Sequence, residues 1–94
     1  DPETYLIVVD IRDHTGHSRR KLERMRGRVI GRGGRTRRII EEQSGAQVAV
    51  QGRTVSILGS LAAIEAAQVS VGMLLGGAEH GSVYHYLEGH RRRR

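Results

Sequence analysis

The residues best suited to chemistry in this chain are Gly31-Arg32-Gly33-Gly34, and the chemistry they suit is holding an anion. Glycine lets the main chain take positive φ and lets a sugar–phosphate backbone come into contact with it. The amides that open a following helix point outward with partial positive charge. Arginine adds a planar fork of donors that matches a phosphate. Two familiar phosphate loops are excluded by spacing. A P-loop needs Gly-x-x-x-x-Gly-Lys-Ser/Thr, and the single lysine is Lys21. A dinucleotide fingerprint needs a third glycine where Thr36 stands, and a strand before the turn where the sequence reads as helix. What remains is Gly-x-x-Gly between two helices.

The charge around this turn has the same sense. Residues 19–38 hold ten basic side chains against one acid, Glu23, in a chain whose net charge is +6. Arg91 to Arg94 add a second basic run, and the rest of the chain is acidic. An acidic body with one basic segment is the footprint of a polyanion-binding surface. Arg35, Arg37 and Arg38 open the second helix, whereas Glu41 and Glu42 lie toward its end. The helix dipole disfavours both placements by ~0.3–1 kcal/mol each. Pairs Arg37–Glu41 and Arg38–Glu42 recover only a few tenths each. An anion docked at the helix start accounts for the order; a solvated face with two ion pairs is the plainer alternative.

Other chemistry finds less support. His14 and His17 stand in a turn, and His80, His85 and His90 are five apart, which splays them around a helix. With no cysteine to complete a site, neither metal nor cofactor is expected. Asp10 and Asp13 flank a strand end and Glu41-Glu42 are adjacent on a helix, so neither pair forms a shared acid–base site. No enzyme is expected. Aromatic residues are only Tyr5, Tyr84 and Tyr86, so bases are not expected to stack on an aromatic platform. At 94 residues the chain fits one domain. No apolar run approaches the ~20 residues of a membrane span, and no signal peptide opens the chain, so no membrane partner and a cytoplasmic location are expected. The opening Asp1-Pro2-Glu3 lacks a methionine, as expected of a piece of something longer.

The elements that must position the glycine turn follow from periodicity. Residues 5–11 are a short β-branched run read as a buried strand. Leu22, Met25, Val29 and Ile30 recur at helical spacing between about Ser18 and Ile30. A second helix runs from Arg35 to Ser44 with Ile39 and Ile40 inward, closed by Gly45. Ala46, Val48 and Val50 alternate as a strand, Gln51-Gly52 is the expected turn, and Thr54 to Leu58 is the paired strand. Ser60 caps a long helix from Leu61 to about Leu75, burying Leu61, Ile64, Ala67, Val71, Leu74 and Leu75. Gly76-Gly77 ends it, and Val83 to Glu88 make one or two helical turns before the arginine tail. This order predicts an α+β fold: a three-stranded antiparallel sheet with all helices on one face.

The stretch Val29-Ile30-Gly31-Arg32-Gly33-Gly34 through Ile40, followed by Ser44-Gly45-Ala46 to Val50, resembles the KH domain of RNA-binding proteins in its strand-first, type I form. The resemblance spans about residues 5–77 and implies the order β-α-α-β-β-α with three helices on one face. Residues 1–77 are then the KH core, and residues 78–94 a C-terminal extension with a short helical segment and the basic tail. More narrowly, residues 34–42, Ile57-Leu58-Gly59, and His80-Gly81-Ser82-Val83-Tyr84 with Leu87-Glu88 are similar to the C-terminal KH domain of the partner-of-Nob-one family. Those archaeal and eukaryotic proteins act in small-subunit rRNA maturation and usually carry a further KH domain upstream.

The resemblance implies a single-stranded RNA grip of about four nucleotides. Gly31, Gly33 and Gly34 would let the backbone approach, with Arg32 and Arg35 on phosphates. Arg28 and Arg38 would flank the groove, while Val29, Ile39 or Val48 could form an apolar floor. Arg37 stands where many KH domains carry an apolar groove residue, which favours backbone contact over strict base reading. The implied partners are a small-subunit rRNA precursor, a processing endonuclease and pre-ribosomal proteins, in the nucleolus and pre-ribosomes if the cell is eukaryotic. The alternative is a protein-interaction KH module docking through Tyr84, Tyr86 and Leu87. A phosphate-ester enzyme using the glycine turn is a third reading without a supporting residue set.

Overall fold

A computed structural model describes residues 3–93 of the chain. Three strands, β1 (Tyr5–Asp10), β2 (Gln47–Gln51) and β3 (Thr54–Gly59), form one antiparallel sheet in the order β1-β3-β2. A single helical turn α1 (Arg12–Thr15) follows β1, then α2 (Arg19–Ile30), a tight turn at Arg32–Gly34, and α3 (Arg35–Ser44). After the β2–β3 hairpin come α4 (Leu61–Leu75) and α5 (His80–Arg93). The α+β arrangement is that of a type I KH domain, and no helix among the described residues is long and apolar enough to cross a membrane.

Local signals in the sequence set most boundaries. Ser18 and Ser60 each accept a hydrogen bond from an amide three residues on, Lys21 N–H and Ala63 N–H, capping α2 and α4. Gly45 closes α3 at φ +87. The core lies between the sheet's inner face and the helices, with Val29, Ile40, Val55, Ile57, Val71 and Leu74 sealed from solvent.

Four expectations are corrected by packing. The β1 run is not buried on both faces: Ile7 and Val9 pack on the core, but Leu6 and Val8 are 61% and 57% exposed. No helix covers that side of the sheet, so apolar content alone misread it. The hairpin turn is Gly52-Arg53, one residue later than expected, because Gln51 pairs with Thr54 and Gly52 supplies the positive φ of +54. Leu61 points to solvent, while α4 buries a wider face that takes in Ala63, Ala66 and Ser70. The last segment is a helix of 14 residues, not one or two turns, and it carries Arg91 to Arg93 within it. Val83 and Leu87 anchor α5 in the same core as the residues before Gly77. Arg94 lies outside the described residues.

Candidate nucleic-acid interface

The turn between α2 and α3 is built from three glycines of positive φ. Gly31, Gly33 and Gly34 have φ of +76, +63 and +79. Their roles separate once a side chain is imagined at each. A Cβ on Gly31 would lie 2.2 Å from Thr36 Oγ1 and 2.6 Å from Thr36 N, so this glycine lets the chain fold back on the first turn of α3. A Cβ on Gly33 would meet nothing within 4 Å, so its main chain faces open space. Gly34 N–H donates to Gly31 O at 3.1 Å, and Arg38 Nη1 donates to Gly33 O at 2.9 Å, which fixes the loop.

Gly34 opens α3 without any side-chain cap, in contrast to the serines that cap α2 and α4. Arg35 N–H is taken up by Arg32 O, and no side chain caps the first-turn amides that follow it, which point toward a ligand or water. Arg32 and Arg35 are exposed beside them, and neither guanidinium takes part in a hydrogen bond or ion pair among the described residues. Uncapped amides, an open glycine and two free arginines make a concentrated anion site.

The wall facing this turn is the outer edge of β2. Val48 N–H donates to Glu41 Oε2 at 2.8 Å, and Val48 O accepts from Arg37 Nη1 at 3.3 Å. The two side chains are themselves paired at 2.9 Å. One residue's worth of strand edge, which would otherwise be free to bond a ligand, is thus already satisfied. The expected Arg37–Glu41 pair forms, whereas Arg38 turns to Gly33 O and no Arg38–Glu42 pair is present among the described residues.

Four expected site residues lie elsewhere. Arg28 Nε donates to Leu74 O at 3.0 Å and its Nη2 donates to Ala78 O, so the guanidinium caps the end of α4 and does not flank the groove. Val29 and Val48 are 0% and 3% exposed and belong to the core. Ile39 lies two helix positions from Arg37, roughly 200° around α3, and lines a hollow with Tyr84 and Gly81 of α5. None of the three forms an apolar floor. Gly31, Arg32, Gly33, Gly34 and Arg35 lie in and beside the turn, and Arg38 folds back onto Gly33 O.

The sequence paired Arg37 with Glu41 but did not show that the pair bonds the Val48 edge of β2, and it grouped Ile30 with the apolar face of α2, whereas Ile30 is half-buried and outside the core cluster. Its signal was present in the spacing: Arg19, Glu23, Arg26 and Ile30 share one face of α2, beside the Leu22–Val29 core face. The site is also braced from behind. Tyr84 OH lies 3.3 Å from Thr36 Oγ1, and His80 Nε2 donates to Arg28 O at 3.0 Å, so α5 holds both helices that flank the turn.

Comparison with known proteins places this geometry in a family. The model for the second KH domain of the partner-of-Nob-one proteins, described as a eukaryotic type KH-domain (KH-domain type I), matches residues 5–92. The KH domain-containing protein MJ0443 of Methanocaldococcus jannaschii is 43% identical over 91 residues, covering 97% of this chain and 40% of that protein. Among solved structures, the Aeropyrum pernix protein APE0754, of unknown function, superposes with a TM-score of 0.94 at 38% identity, covering 99% of this chain and 49% of its own. Dim2p from Pyrococcus horikoshii gives 0.83 at 48% identity, covering 97% and 49%. A chain of the a/eIF2alpha–aDim2p–rRNA complex from the same organism gives 0.91 at 45%, covering 100% and 50%. The chain thus spans half or less of the length of each of these relatives.

Proposed function

The chain belongs to the type I KH-domain family, in its partner-of-Nob-one branch, and we propose from that premise that it grips single-stranded RNA by the sugar–phosphate backbone at the glycine turn. The observation that carries the reading is the uncapped start of α3, with Gly33 open and Arg32 and Arg35 unpaired beside it. A phosphate seated there would meet the α3 amides and two guanidinium groups together. The rRNA present in a relative's complex supports ribosomal RNA as the class of ligand, and the branch supports a place in small-subunit maturation. In that setting the domain positions and shields its RNA and presents it to a processing endonuclease, and it performs no reaction itself.

The grip reads backbone more than base. Arg37 and Glu41 already occupy the Val48 edge of β2, so that edge offers a nucleobase no free donor and acceptor. The test is fluorescence anisotropy of a labelled RNA of about ten nucleotides, comparing the chain with its Arg32→Asp, Gly33→Asp variant. Gly33 has room for the new side chain, and circular dichroism checks the fold. Binding by the parent with a clear salt slope, lost in the variant, supports the reading. Equal binding by both would move the RNA to another basic surface such as Arg91 to Arg93.

A second reading, contact with protein, is favoured by the uncovered sheet face, where Leu6, Val8 and Leu58 are exposed. Of the three tail residues expected there, only the half-buried Tyr84 and Tyr86 remain partly open to such a contact. Leu87 is sealed in the core, and Tyr84 and Tyr86 pack against it. Such a contact would survive the Arg32→Asp, Gly33→Asp change.

A further inference from the structure

Along the first two turns of α2 lies a cleft of about 510 Å³, whose near side at Arg26 is about 8 Å and whose far side at Arg19 is about 18 Å from the glycine turn by the helix rise. Arg12, Arg19, Arg26 and Arg53 converge on it from three separate segments: α1, α2 and the β2–β3 turn. Two carboxylates are near. Asp10 Oδ2 pairs with Arg53 Nε at 3.4 Å, and Glu23 Oε1 with Arg26 Nε at 3.6 Å. Arg26 also donates to Gly52 O, tying α2 to the hairpin turn. Arg12 and Arg19 are left without a counter-ion or a side-chain hydrogen bond among the described residues. Arg12 Nε is buried and has no acceptor. A buried charged donor without an acceptor is costly, and four guanidinium groups around one hollow repel one another. An anion in the cleft relieves both.

We propose that this cleft is a second phosphate subsite, taking the backbone of the same RNA strand beyond the nucleotides held at the glycine turn. The proposal rests on the RNA reading above. The face of α2 that carries Arg19, Glu23 and Arg26 continues to Ile30 at the glycine turn, so one strand laid along α2 reaches both ends. A strand of about four nucleotides centred on the glycine turn has only about half its length on the α2 side and falls short of Arg19. One of about twelve reaches it.

The experiment titrates labelled single-stranded RNAs of about four and about twelve nucleotides with the whole chain at several salt concentrations. The variants are Arg19→Gln, at an exposed position with no side-chain hydrogen bond or ion pair among the described residues, and Arg12→Gln with Arg19→Gln. For the longer RNA, the double variant is expected to bind about tenfold more weakly, with the salt slope reduced by roughly one to two. For the shorter RNA, affinity stays unchanged. Equal losses at both lengths, or no loss with the longer RNA, would overturn the subsite while leaving the glycine-turn reading intact. Inorganic phosphate at constant ionic strength is expected to reduce the advantage of the longer RNA in the parent but not in the double variant, and an equal effect on both would overturn the subsite. A parent chain that binds neither RNA overturns the RNA reading itself, and the subsite falls with it.

Discussion

Gly31 and Gly33 both have positive φ, with ψ of 169 at the first and 21 at the second, and a side chain would meet opposite surroundings at the two. At Gly31 both strain and a clash with Thr36 act, so Gly31→Ala is expected to lower stability by at least about 2 kcal/mol. At Gly33 only the strain acts, and Gly33→Ala should cost about 1 kcal/mol. Urea denaturation midpoints check the pair, and equal losses would contradict the separation of a packing glycine from a contact glycine. A second expectation concerns Arg37 and Glu41. Each good base contact is worth ~1–3 kcal/mol of discrimination. With the Val48 edge occupied, homopolymeric RNAs should differ in affinity by less than about tenfold in parallel anisotropy titrations. The glycines and their arginines were legible from the sequence because their function depends on residue type and local order. The groove floor was not. Whether Val29 or Val48 faces a groove or the core depends on how α2 and β2 pack, and Arg28 and Ile39 were diverted by α4 and α5, whose positions periodicity does not give.

Among the elements, α5 changes most between sequence and structure. Its sequence carries glycines, histidines and arginines and reads as only one or two helical turns over Val83 to Glu88, but Val83 and Leu87 recur four apart and both are fully buried. Leu87→Ala is therefore expected to cost about 2–5 kcal/mol, whereas Leu61→Ala at the exposed start of α4 should stay within about 0.5 kcal/mol. Thermal or urea unfolding of the two variants checks the contrast. The same helix gives the segment His80-Gly81-Ser82-Val83-Tyr84 a structural role in this chain. His80 bonds the Arg28 carbonyl and Tyr84 reaches Thr36, so the segment after Gly77 steadies both sides of the glycine turn. Helices α2, α3 and α4 and the pairing of β2 with β3 were legible because caps, glycines and spacing act within a few residues, whereas the single turn α1 was not expected. The β1 face was not, since a β-branched run looks the same whether one side or both are covered.

Over the whole molecule, charge and exposed surface divide the work. Basic side chains gather on α2, on the glycine turn and at the start of α3, while the outer sheet face exposes Leu6, Val8 and Leu58. A backbone grip on about three or four phosphates should give a salt slope near −2 to −3 for a single strand. A slope near zero would exclude a phosphate grip altogether. The most direct measurement is an amide proton–nitrogen NMR titration of the whole chain with an RNA of about ten nucleotides. The largest shifts are expected at Gly31 to Arg38 and along the face of α2 that carries Arg26 and Ile30. Shifts confined to Arg91 to Arg93, or to Leu6, Val8 and Leu58, with the glycine turn unmoved, would contradict the central claim that this turn is where RNA is held.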